Sequence, residues 1–206
     1  ALLMEYTGKL NNGVITGTFR QFGVAFPLEL KAGDAGKPNR PQEPESPLGY
    51  KTEEVTFTNQ KAHVSLAGTL TYPVNYTPDK KVPVVIMVTG SGAQNRDEEV
   101  FAHKPFRVIA DYLAKQGIAS LRYDDRGVGQ STGNQAGCTS ADFAEDAACG
   151  LSWLKSSGKF NQVGILGHSE GGLIAFMLGA EGKADFLVSM AGPGKNYHPG
   201  YGCQRK

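Results

Sequence analysis

One pentapeptide in the chain combines a reactive side chain with small residues that would expose it: Gly167-His168-Ser169-Glu170-Gly171. It follows the apolar run 163–166 and precedes the apolar stretch 173–177, which predicts a turn between a strand and a helix. A G-x-S-x-G sequence in that context is typical of a nucleophile elbow, whose sharp turn exposes the serine hydroxyl. We therefore predict that Ser169 is a catalytic nucleophile.

The glycines around Ser169 have a steric role in this interpretation. Gly167 and Gly171 would let the strand and the helix approach each other without Cβ clashes, and Gly172 would add room. The helix that begins here would direct its first amide groups and the positive end of its dipole at the reacting oxygen. A purely structural glycine turn is the alternative.

A second glycine-rich segment, Thr89-Gly90-Ser91-Gly92, ends the apolar run 82–88, which predicts a central strand buried on both faces. Acyl transfer needs N–H donors for the oxyanion, one from the residue after the nucleophile and one from the loop after an earlier strand. Gly90 would shape that loop, although a simple glycine turn is again the alternative. The predicted oxyanion-hole donors are the backbone N–H groups of Ser91, Gly92 and Glu170.

Other chemistries fit the sequence less well. Neither glycine-rich loop completes a dinucleotide-binding fingerprint, because Asn95 and Thr132 stand where the third glycine belongs. The cysteines lack a C-x-x-C pair, so they indicate neither a zinc site nor a disulfide framework. We expect no cofactor and no metal. The three cysteines are Cys138, Cys149 and Cys203.

The amino-acid composition limits the kinds of binding partner that we expect. The 206 residues carry a formal net charge of +1, and no basic stripe interleaves with aromatic residues, so nucleic acid is not an expected partner. The longest apolar runs, 82–88 and 171–180, are shorter than the roughly 20 residues that a membrane span needs. We expect a small-molecule ester substrate; the oligomeric state is left open.

The element pattern predicts three regions. Residues 1–31 read as a three-stranded β-meander, taken as the end of an N-terminal β-domain, and residues 32–49 form a proline-rich linker. Residues 50–206 alternate strands with helices, which predicts a mostly parallel sheet with helices on both faces. Within this region Thr139 and Asp142 fit the capping pattern of a helix start. The fold class is therefore α/β.

Three motifs together resemble the α/β-hydrolase superfamily, and within it the serine esterases of the bacterial EstD-like type, which carry an N-terminal β-domain. The resemblance implies ester cleavage by the serine without cofactor or metal. It is compatible with an extracytoplasmic location, periplasmic or secreted, but the compartment stays open. Thr89 departs from relatives that carry a histidine before the oxyanion glycine. The motifs are segments 89–98, 123–131 and 167–172.

Relatives place the triad acid and then the histidine after the nucleophile. After Ser169 the chain offers Asp185, which begins a strand rather than following one, and His198, which lies in an irregular tail. His168 adjoins the nucleophile in a turn that separates neighbouring side chains. We therefore expect the acid and the histidine beyond residue 206, in a C-terminal part missing from this chain, which then turns over poorly.

Three further functions stay open on the same scaffold: acyltransferase, thioesterase and peptidase. A non-catalytic, hydrolase-like binding domain is the alternative from a different class, because no credible acid and base follow Ser169. His63 and His103 precede the nucleophile and are expected on the surface or in loops. Arg96 and Glu170 are expected to be solvated or structural, with substrate contact as the lesser alternative.

Overall fold

A computed structural model describes residues 4–33 and 39–193. The chain forms two compact units, which divide between Asn39 and Arg40. This division falls inside the predicted linker 32–49. The predicted boundaries at 31 and 49, and the assignment of the first unit to the end of a larger β-domain, stay predictions.

The first unit is an antiparallel sheet of three strands: β1 (Met4–Asn11), β2 (Val14–Gln21) and β3 (Val24–Lys31). Asn12 and Gly13 connect β1 to β2 with φ of 48° and 79°, the left-handed conformation of a tight hairpin turn. Phe19 and Phe26 face each other across β2 and β3 with ring centroids 5.1 Å apart. The meander predicted from the sequence is present.

The second unit is built on a six-stranded sheet with the order β4-β5-β7-β6-β8-β9. The pairs β4–β5 and β5–β7 are antiparallel, whereas β7–β6, β6–β8 and β8–β9 are parallel. Each parallel connection passes through a helix, as the geometry of parallel pairing requires. The strands are β4 (Thr52–Asn59), β5 (Val64–Thr71), β6 (Val82–Val88), β7 (Ala119–Tyr123), β8 (Phe160–His168) and β9 (Leu187–Met190).

Helices cover both faces of this sheet. They are α1 (Pro105–Lys115), α2 (Ser140–Ser156) and α3 (Glu170–Ala180). Val84, Ile86 and Val88 of β6 join the core cluster that contains α2 and α3 residues, whereas Val85 and Met87 join the cluster that contains α1 residues. Because β6 is buried on both sides, the apolar run 82–88 forms the centre of the sheet, as predicted.

The start of α2 follows the predicted capping pattern. The carboxylate of Asp142 accepts hydrogen bonds from the backbone N–H and the hydroxyl of Thr139, both at 2.7 Å. The first of these bonds satisfies the backbone N–H of the residue that caps the helix. It also fixes the chain just before Ser140, whose side chain lies at the candidate site described next.

Candidate active site

Ser169 is the single residue between β8 and α3, at the carboxyl end of the sheet. Its backbone has φ 52° and ψ −112°, a strained conformation for a residue with a side chain. Its N–H donates to the carbonyl oxygen of Met190 at 2.9 Å, which ties the turn to the end of β9. The structure therefore has the sharp strand-to-helix turn that the pentapeptide predicts.

Backbone segments around this turn approach one another too closely for larger residues. A Cβ atom at Gly167 would overlap the carbonyl of Gly171, and one at Gly171 would overlap the carbonyl of Val88. At Gly172 an added Cβ would lie 2.6 Å from the hydroxyl of Ser189. These glycines allow β8, α3 and β6 to pack against one another at the turn.

Substitution of Gly171 by alanine is expected to lower the free energy of unfolding of the second unit by about 3 kcal/mol or more, because the obstacle is rigid backbone. Gly179, in the same helix, is the matched control. There an added Cβ meets the half-exposed side chain of Leu187, which can move, so Gly179→Ala is expected to stay within about 1 kcal/mol of the wild type. Urea denaturation followed by circular dichroism measures both; equal effects would contradict the steric argument.

The loop after β6 lies directly against the turn. A Cβ at Gly90 would lie 3.3 Å from Cβ of Ser169, and the N–H of Gly90 donates to Oε1 of Glu98 at 2.7 Å. Gly92 has a φ of 110°, which favours glycine. The structure thus brings the predicted oxyanion loop next to Ser169, with Ser91 at the surface between two cavities.

Both cavities open at Ser91 and Ser169. The smaller one holds about 300 Å³ and extends toward Ser140, Glu170 and Leu173. The larger one holds about 390 Å³ and extends along the loop after β6 and His168. A substrate with its reacting carbon at Ser169 could therefore place one half in each cavity.

Glu170 directly follows Ser169, and its side chain lines the smaller cavity. Its Oε1 accepts a hydrogen bond from the hydroxyl of Ser140 at 2.7 Å, which links the starts of α2 and α3. The structure therefore gives Glu170 a structural contact and also places its carboxylate on the cavity wall.

A buried carboxylate binds both ends of the loop after β6. Asp125 accepts hydrogen bonds from the hydroxyl of Thr89 at 2.8 Å and from the N–H of Gln94 at 3.1 Å. Burial raises the pKa of Asp125 to about 7, and the carboxylates of Asp146 and Glu170 act in the same direction. The threonine at position 89 thus has a defined role: its hydroxyl binds Asp125.

Glu98 and His168 form a pair that the sequence analysis missed. Nδ1 of His168 lies 2.7 Å from Oε1 of Glu98, the oxygen that also accepts the Gly90 N–H. The side chain of Glu98 is 7% exposed and that of His168 is 40% exposed. No sequence spacing signals this contact, because the two residues are 70 positions apart and Glu98 lies in an irregular loop.

Arg96 forms structural contacts. Its backbone and side chain donate to the carboxylate of Asp124, with Nη2 to Oδ2 at 2.8 Å, and it also pairs with Glu54. Burial alone would raise the pKa of Asp124, but these hydrogen bonds hold it below its ordinary value. Asp124 in turn accepts the N–H of Gln130, so the 123–131 motif forms a braced turn after β7.

The other acid and base candidates lie apart from Ser169. Asp185 accepts the N–H of Val163 at 2.7 Å, near the start of β8 and therefore at the opposite end of that strand. His63 is exposed in the turn between β4 and β5, and His198 is outside the described residues. Within residues 4–33 and 39–193, no imidazole is hydrogen-bonded to the hydroxyl of Ser169.

Among the described residues, no group of three or more histidine, cysteine and acidic side chains is arranged to hold a metal ion. No helix there is both long and apolar enough to cross a membrane.

The strand order, the helices on both faces and the strained serine after β8 define an α/β-hydrolase domain. A family model described as serine aminopeptidase, S33, matches residues 104–198. Esterase EstD of Thermotoga maritima is 32% identical over 149 residues, which are 72% of this chain and 34% of that protein. The domain has the α/β-hydrolase fold, and this relative confirms the resemblance to the EstD-like type.

Solved structures agree on the fold. The α/β hydrolase GrgF from Penicillium sp. sh18 superimposes with a TM-score of 0.58 at 23% sequence identity. The match covers 69% of this chain and 46% of the GrgF chain. A serine hydrolase without lid from Xanthomonas campestris has a TM-score of 0.55 at 19% identity, covering 72% and 64%. The chain spans about a third of the length of the curated relative it matches.

Proposed function

We propose that the protein is a serine hydrolase that cleaves carboxylic esters with short acyl chains through an acyl-enzyme on Ser169. The observation that carries the proposal is the position of this serine: it stands in a strained turn where two cavities meet, next to the loop after β6. Each of the two cavities, of about 300 and 390 Å³, has room for a short acyl chain.

In the proposed reaction, Oγ of Ser169 attacks the ester carbonyl carbon and the carbonyl oxygen becomes an oxyanion. The backbone N–H groups of Ser91, Gly92 and Glu170 would stabilise this charge. The carbon–oxygen bond to the alcohol then breaks, and the proton lost by Oγ leaves on the alcohol. Water hydrolyses the acyl-enzyme and releases the acid.

Proton transfer in this reaction needs a base and an orienting acid. The placement of both beyond residue 206 stays a prediction. Without the base and the acid we expect slow turnover, because the oxyanion donors and substrate binding alone retain only part of the rate enhancement.

The test is hydrolysis of p-nitrophenyl acetate, butyrate and octanoate, followed by p-nitrophenol release. We expect the two shorter esters to be cleaved with the higher kcat/KM. Cleavage that persists in Ser169→Ala at the wild-type rate would contradict the proposal. A preference for octanoate would contradict the short-chain assignment alone.

A peptidase is the second candidate, since the matching family model is described as a serine aminopeptidase. Amino-acid p-nitroanilides carry the same chromophore on an amide bond and separate the two functions. We expect esters to be cleaved at least about 100-fold faster. The reverse order would favour the peptidase.

A further inference from the structure

The larger cavity beside Ser169 contains two histidines, and we call it the histidine cavity. Its polar wall comes from Ser91, Gln94, His103 and His168, and its apolar wall from Val100 and Pro105. A cavity with few polar groups on an apolar wall selects ligands by the hydrogen bonds those groups can make. The tautomers of the two imidazole rings therefore decide which hydrogen bonds the cavity can offer to a ligand.

Glu98 determines the tautomer of His168. Oε1 of Glu98 already accepts the Gly90 N–H at 2.7 Å, and it lies 2.7 Å from Nδ1 of His168. A carboxylate oxygen only accepts hydrogen bonds, so in the neutral ring the proton is on Nδ1. Nε2 of His168 is then a hydrogen-bond acceptor. The Glu98 side chain is buried and its Oε1 takes part in two hydrogen bonds, so it holds the imidazole ring of His168 in one orientation.

The contact between His103 and Gln42 favours the opposite tautomer for His103. Its Nδ1 lies 3.4 Å from the side-chain amide nitrogen of Gln42, which can only donate. Nδ1 therefore accepts, and in the neutral ring Nε2 carries the proton. The backbone of His103 is fixed by two hydrogen bonds with Val100, at 2.9 and 3.0 Å. The cavity thus combines an acceptor on one ring with a donor on the other.

The loop that carries these groups is held in a costly conformation. Glu98, Phe101 and Ala102 have φ of 51°, 51° and 57°, which residues with side chains rarely adopt. Such strain tends to persist where function requires a particular geometry. Here it places Glu98 beneath Gly90 and His103 in the cavity wall.

We propose that the histidine cavity binds a hydroxyl group of the substrate, which donates to Nε2 of His168 and accepts from Nε2–H of His103. Ester substrates that carry a hydroxyl two carbons from the ester group are then preferred over their alkyl counterparts. The inference rests on the proposed ester hydrolysis and specifies its substrate class. His168 is a specificity-determining residue, and Glu98 is a positioning residue that acts through it.

The test compares two series of closely related esters. On the alcohol side they are 2-hydroxyethyl, 2-methoxyethyl and propyl acetate; on the acyl side they are ethyl 3-hydroxypropanoate, ethyl 3-methoxypropanoate and ethyl butanoate. The methoxy esters keep the electron-withdrawing oxygen but cannot donate a hydrogen bond. In one of the two series we expect kcat/KM to be about 5-fold higher for the hydroxyl ester than for its methoxy analogue. This ratio corresponds to the free energy of one hydrogen bond. That series identifies which half of the substrate enters the cavity.

His168→Asn should reduce this ratio to about 1, since asparagine can still donate to Glu98 but has no acceptor at the position of Nε2. The matched control is His63→Asn, an exposed histidine whose φ of 53° suits asparagine; its ratio should equal that of the wild type. A general structural defect would slow all esters and leave the ratio unchanged.

A measurement without turnover tests the same geometry. Long-range ¹H–¹⁵N spectra of the histidine rings should show His168 as the Nδ1–H tautomer and His103 as the Nε2–H tautomer. The opposite tautomer at His168 would overturn the inference, and so would equal rates for hydroxyl and methoxy esters in both series. Those outcomes leave ester hydrolysis intact, whereas no Ser169-dependent cleavage of any ester removes the proposed function and the inference with it.

Discussion

Where an acid and a histidine complete the site, substitution of Ser169 by alanine is expected to abolish covalent labelling by a fluorophosphonate probe and to lower ester hydrolysis by on the order of 10⁴-fold or more. The probe reacts with an activated serine hydroxyl, and the alanine variant keeps the Cβ atom and the strained backbone while it lacks Oγ. Intact-protein mass spectrometry should show one phosphonyl adduct on the wild type and none on the variant.

Ser152→Ala is the matched control for this experiment. Ser152 is an exposed serine in α2, so its loss should leave the adduct and its rate of formation unchanged. An adduct that survives in Ser169→Ala would place the nucleophile elsewhere. A wild-type protein that has the acid and the histidine and still takes up no probe would favour the non-catalytic, hydrolase-like binding domain.

The second large effect concerns pH. The free energy of unfolding of the wild type is expected to decrease as pH rises from about 4 to about 7. In Asp125→Asn this decrease should be absent. The folded-state pKa of Asp125 is raised to about 7, because burial disfavours its charged form. As pH rises, the unfolded chain therefore releases the proton of Asp125 at a lower pH than the folded protein does. The free energy of unfolding decreases over this interval and stops decreasing once the folded protein also releases the proton.

The size of this effect follows from the two pKa values. The difference between the ordinary value of 3.8 and about 7 corresponds to on the order of 4 kcal/mol. Above pH 7 the difference in free energy of unfolding between the wild type and Asp125→Asn should become constant. Denaturant unfolding at half-unit pH steps measures it, and parallel curves for the two proteins across pH 4–7 would contradict the assignment.

Asp142→Asn provides a control of opposite sign. Hydrogen bonds from Thr139 lower the pKa of Asp142, so its contribution to stability is present above the ordinary pKa and is lost as pH falls. The free energy of unfolding of the wild type, relative to that of this variant, should therefore increase as pH rises toward the ordinary pKa of an aspartate, about 4. Two aspartates near α2 are thus expected to respond to pH in opposite directions.

Asp125 also links stability to the candidate site. It binds Thr89 and Gln94, which flank the predicted oxyanion donors. Loss of the carboxylate would loosen both ends of the loop at once. The residue that departs from its relatives in the sequence, Thr89, supplies one of these two contacts.

Much of the fold could be predicted from the sequence because its signals are local. The apolar run 82–88 indicated a central strand, and Thr139 with Asp142 indicated a helix start; both are present. The pentapeptide around Ser169 indicated a strand-to-helix turn, and the structure has one with a φ of 52°. Each depends on residues within a few positions of one another, where periodicity and backbone sterics act directly.

The contacts around Ser169 were decided by the tertiary structure. Glu98 meets His168 across 70 positions, and Thr89 meets Asp125 across 36. Neither pair has a spacing that local sequence rules describe, because parallel strands bring their carboxyl ends together only after the helices between them have packed. The sequence by itself determined the turn, the glycines and the serine; the assembled sheet decided which buried carboxylates hold the loop and the histidine beside that serine.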